Sequence, residues 1–132
     1  MLHDASHNKE KISLLLAECA AWIAILNLLK EESYSLKTKL SEALDNNTDK
    51  DLVIQAETFH NLIIERDEYI KDIAADVKGQ EKKLREAPVK NVADKQLVKQ
   101  QQKLRNEISY LEKDFAKMRE DFYRKFLKKV SS

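Results

Sequence analysis

Apolar side chains recur at alternating steps of three and four residues along three long stretches of this chain, and one Gly and one Pro interrupt 132 residues. The first stretch runs through Ile12, Leu15, Cys19, Trp22, Leu26, Leu29, Ser33, Leu36, Leu40 and Ala43. The second holds Leu52, Ala56, Phe59, Ile63, Arg66, Ile70, Ile73, Val77, Gln80 and Leu84. The third holds Leu97, Gln101, Leu104, Ile108, Leu111, Phe115, Met118 and Phe122. Such steps place each set on one stripe of a helix, the seam of a coiled coil. Three stripes of similar length on one chain can bury each other. The expected fold is all-α: an elongated, antiparallel, up-down-up three-helix coiled-coil bundle forming one domain over residues 1–132.

Turn chemistry sets the expected boundaries at about 6–44, 49–86 and 91–130. Asp4, Ser6 and Asn8 are good N-caps for the first helix. Asp45-Asn46-Asn47-Thr48 is a turn by composition, and Thr48 with Asp51 resembles a capping box. Pro88 lacks the donor for a next helical bond and disfavours helical geometry at Ala87. Asn91 or Asp94 then caps the third helix. Gly79 lies inside the second helix and is a local weak spot of about 1 kcal/mol relative to Ala. Helices of this length span about 60 Å at 1.5 Å per residue. Folding the chain back at each turn predicts layers in which Trp22 meets Ile73 and Leu104, and Leu36 meets Phe59 and Met118.

Charged residues are 36% and aromatics 7%, the balance of solvated helices with narrow apolar stripes. A net charge of +1 argues against a general polyanion binder. A single cysteine rules out an internal disulfide framework and fits a reducing, cytoplasmic setting. Arg66, Gln80 and Gln101 are polar seam positions, read as register control, with Glu32, Glu107 or Glu112 as partners for Arg66.

The sharpest functional candidate is a second apolar line on helix one: Leu14, Ala17, Ala21, Ala24 and Leu28, widened by Ile23 and Ile25. It faces away from the seam, so the bundle leaves it over, and its alanines allow a neighbouring helix to come close. The expected partner is a protein, first of all a second copy, antiparallel about a two-fold axis, giving a homodimer.

Two alternatives use other features. Residues 1–66 carry 7 basic and 11 acidic side chains (−4), and residues 67–132 carry 17 and 12 (+5). Lys95, Lys99, Lys103 and Arg105 form an acid-free stretch able to follow phosphates, and Arg124, Lys125, Lys128 and Lys129 end the chain's last helix. Yet Lys99, Lys113 and Lys117 alternate with Glu107, Glu112, Asp114 and Asp121 as on an ordinary solvated helix. The other alternative is membrane attachment through the nearly continuous apolar run 12–29. Glu18 inside that run and the seam continuing past it count against a span. Glu18 also stands where a lipoprotein-type cleavage site before Cys19 needs a small residue.

Catalytic and metal readings are weaker still. Glu57 and His60 have the Glu-x-x-His spacing that resembles ferritin-like di-iron bundles, but that chemistry needs two such motifs and four helices. His3 and His7 lie one turn apart without a third ligand. Cys19 sits on the seam as a small hydrophobe. No cofactor, metal or catalytic residue is expected, so the chain is read as a non-enzyme. In outline, three long helices with Trp22 on the first, the chain resembles a spectrin repeat with longer helices, which implies a scaffold-like role.

Overall fold

The computed structural model describes residues 2–46, 49–86 and 95–131, with side chains described from residue 9 to residue 130 within those ranges. Three helices dominate: α1 (Leu2–Asp45), α2 (Lys50–Glu86) and α3 (Lys95–Asp121), the last continuing through a π-helical turn (Phe122–Leu127) and a final turn (Lys128–Ser131). They form an all-α, up-down three-helix bundle.

Helix α1 begins earlier than expected, so Asp4, Ser6 and Asn8 lie within it rather than capping it. At its other end, the Asn46 side-chain amide donates to the Glu42 carbonyl at 3.2 Å, satisfying an acceptor that the helix leaves open. Helix α2 is capped by Asp49, whose carboxylate accepts from the Asp51 N–H at 2.9 Å while its carbonyl accepts from Val53 N–H at 3.1 Å. Thr48, Ala87, Pro88, Asn91 and Asp94 lie outside the described residues. Gly79 does not interrupt α2, and a Cβ added there would meet open space.

Contacts divide the chain into two compact units. Unit 1 comprises residues 1–26 and 72–109; unit 2 comprises 27–71 and 110–132. Each therefore takes a segment from all three helices, with α1 and α3 running the same way and α2 against them.

The core of unit 1 contains Trp22, Leu26, Ile73, Val77, Leu84, Leu104 and Ile108, closed by a polar layer of Cys19, Gln80 and Gln101. The core of unit 2 is larger and aromatic, with Phe59, Phe115, Phe122 and Phe126 all buried beside Leu36, Leu40, Ile63 and Leu111. Phe59 meets Phe122 edge-on at 5.5 Å between centroids, and Phe126 lies 5.4 Å from Phe122.

Phe126 explains the π turn. The steps from Met118 to Phe122 to Phe126 are both four, eight residues where two α-turns supply about 7.2. Widening the helix keeps both rings inward, and the Lys128 N–H reaches back five residues to the Tyr123 carbonyl.

The expected layers fall within the right units, but α2 meets α3 up to one turn further along. Phe59 shares a cleft with Met118 while its ring meets Phe122 edge-on, and Gln80 donates both to the Leu97 carbonyl and to Gln101 Oε1, each at 3.0 Å.

Candidate interaction face

Helix α1 must place one stripe in the core, and the opposite side is what solvent meets. Leu14 is 71% exposed and Leu28 62%, and Ala17, Ala21 and Ala24 are exposed between them, with Ile23 and Ile25 half-buried. The sequence line thus stands on the surface as expected. Ala20 and Ser13, which the sequence reading passed over, are also exposed and small.

The same segment satisfies the length and composition test for a membrane-crossing helix. Within Lys9–Asp45, an 18-residue window reaches a mean hydropathy of 2.1 with 22% of it buried. A signal sequence near the N-terminus passes the same test, as this near-N-terminal stretch does, and its buried share is about that of α2.

One charge lies inside the apolar run, and unit 1 gives it dedicated partners. Arg105 grips Glu18 with two bonds, Nη2 to Oε1 at 2.7 Å and Nε to Oε2 at 2.8 Å. The Gln101 amide adds a third donor at 2.9 Å and also donates to the Leu15 carbonyl at 3.1 Å. Gln80 in turn donates to Gln101 Oε1, so both amides point their N–H groups towards the carboxylate. The Leu97 carbonyl and Gln101 Oε1 before the Gln80 amide nitrogen, and the Leu15 carbonyl and Glu18 before that of Gln101, hold these orientations, because a flipped amide would set oxygen against oxygen. The Arg105 bond, opposed by burial and helped by Gln101, holds the Glu18 carboxyl below its ordinary range, and the same bond raises the Arg105 guanidinium. Cys19, fully buried with Sγ 3.8 Å from Gln101 Oε1, has its thiol pushed up by burial. A thiol so raised is a poor nucleophile.

The basic stretch of α3 is partly committed. Arg105 is spent on Glu18 and also donates to Gln102 at 2.6 Å, and Lys103 lies 3.9 Å from Glu107. Lys95 and Lys99 are exposed. Arg66 departs from its expected acids: it pairs with Asp114, Nε 3.0 Å from Oδ2, and donates to the Leu62 carbonyl at 3.0 Å. Glu32 instead accepts from Arg119 at 2.6 Å.

Glu57 and His60 are exposed on the wall of an open cleft of about 450 Å³ in unit 2, floored by Leu40 and Ala56. Among the described residues, no three His, Cys, Asp or Glu side chains gather to hold a metal ion. The side chains of His3 and His7 are not among those described. Comparison with protein-family models, curated proteins and solved structures gives no match.

Proposed function

We propose that this chain is a non-catalytic, scaffold-like interaction module that self-associates through the outer face of α1. The observation that carries this reading is the exposure of Leu14 and Leu28 at the ends of a line of exposed alanines, with the one charge in the run paired to Arg105 beside the seam. Burying each leucine against a partner is worth about 1.5–3 kcal/mol, and alanines between them permit close helix approach. A reducing, cytoplasmic setting suits a module whose one thiol is buried.

Sizing chromatography with light scattering tests it. Wild type is expected at twice the chain mass, and Ala21→Glu and Ala24→Lys at the monomer mass. Both positions are solvent-facing in the protomer, so neither change disturbs the bundle core. A monomeric wild type, or dimers in both variants, overturns the reading.

The window hydropathy of 2.1 with 22% burial favours a second reading, attachment to a membrane through residues 12–29. That arrangement would remove Cys19, Trp22, Leu26 and Leu29 from the bundle core. Flotation of wild type with neutral lipid vesicles at pH 7 separates the two: co-flotation supports attachment, and protein left at the bottom of the gradient rejects it.

A further inference from the structure

We propose that Glu18, Arg105 and Gln101 form a latch that holds the apolar stretch of α1 on the bundle, and that without the Glu18 charge this stretch enters a lipid bilayer. The inference deepens the membrane reading of residues 12–29 and does not rest on self-association; insertion would carry the outer apolar line into lipid as well, since Glu18 stands one turn from both Leu14 and Ala21. Three observations converge on it. The stretch has bilayer-like length and hydropathy yet is mostly unburied. From Ile12 to Leu29 its one ionisable side chain of ordinary carboxylate or basic type is Glu18. That carboxylate receives a bidentate guanidinium from Arg105 and the amide of Gln101, itself oriented by Gln80.

The physical consequence is a double penalty on leaving the bundle. Departure forfeits charge-assisted bonds, which are the strong kind, and carries an ionised carboxylate towards hydrocarbon. Replacing Glu18 by leucine removes both penalties and lengthens the uninterrupted apolar run to the roughly 20 residues a bilayer needs. Partition into lipid should then rise on the order of a hundredfold.

Trp22 reports the outcome. It is the chain's single tryptophan, lies within the stretch, and is 5% exposed in the bundle. Wild type, Glu18→Leu and Glu18→Gln would be mixed at pH 7 with phosphatidylcholine vesicles whose acyl chains are brominated. The expected result is strong quenching of Trp22 with Glu18→Leu, weaker quenching with Glu18→Gln, and none with wild type. Bromine quenches at close range within the bilayer, so a variant that merely misfolds or aggregates in water leaves Trp22 bright. An unquenched Glu18→Leu, whether monomeric or self-associated, overturns the proposal. So does wild type quenched as fully as the variant, because the latch would then hold nothing.

Discussion

The two units place the same ion pair in the same heptad slot and use it differently. Glu18 precedes a seam residue of α1, and Arg105 follows one of α3; Glu32 and Arg119 repeat that relation two heptads later. Between parallel neighbouring helices these are the flanking positions that meet. In unit 1 the carboxylate is held by two guanidinium bonds and an amide, and the amide is tied through Gln101 and Gln80 into the core. In unit 2 Arg119 makes one bond to Glu32, with both side chains about two-fifths exposed, a geometry worth little on its own.

Unit 2 has no need of more, because all four of the chain's phenylalanines are buried there. Unit 1 has fewer large side chains, a polar layer across its core, and an α1 surface of exposed alanine and leucine. Further along α1, unit 2 exposes Leu28 at its start and then Glu31, Tyr34, Ser35, Thr38 and Ser41. The contrast teaches that a thin core closed by polar bonds and an apolar outer face go together here: the apolar side chains available to α1 in unit 1 are divided between inside and outside.

The largest test of that contrast strikes the aromatic core. Phe122→Ala should lower unfolding stability by about 3–5 kcal/mol, read by urea denaturation, because it removes a fully buried ring and strands Phe59 and Phe126 beside the cavity. A loss below about 1 kcal/mol would mean that unit 2 does not depend on its ring cluster.

A smaller effect is expected in the polar layer. Gln101→Leu should cost about 1–3 kcal/mol, since buried Gln80 loses one of its two acceptors, keeping only the Leu97 carbonyl, and Glu18 loses a donor. The double change Gln80→Leu with Gln101→Leu should recover most of it, as an apolar layer leaves no amide unsatisfied. Additive losses in the double mutant would show that the two amides act separately.

The smallest effect is a pH dependence in unit 1. The folded-state pKa of Glu18 is lowered, chiefly by Arg105, so the unfolded chain binds its proton more readily. Its stabilisation is therefore present above the ordinary carboxylate pKa and lost as pH falls through the lower, folded value. Glu18→Gln should flatten the acid side of a plot of Tm against pH while sparing the neutral side. An unchanged acid slope would show that the Arg105 bond contributes nothing to folding.

Much of this was legible in the one-dimensional pattern. Every buried side chain among the described residues except Phe126 lies on one of the three stripes. Phe126 escaped because two successive steps of four look like the end of a heptad pattern; only the π turn brings that ring inward. Arg105 reads as a candidate phosphate contact because its neighbours are basic, and the pairing with Glu18, 87 positions away, is visible only in the structure. The signal was present in the lone acid of an apolar run, which demands a counter-charge. Arg66 shows the same limit, choosing Asp114 over the three glutamates that its seam position suggested.

Periodicity alone therefore determined the helices, the stripe each buries and the apolar line left outside, because side-chain direction along a helix follows from 3.6 residues per turn. The tertiary structure decided the alignment of α2 against α3, the widened turn at Phe122–Leu127 and the partner of each charge. Those depend on which turn of one helix faces which turn of another, and heptads repeat identically enough that neighbouring alignments differ only in the packing and hydrogen bonds of particular side chains.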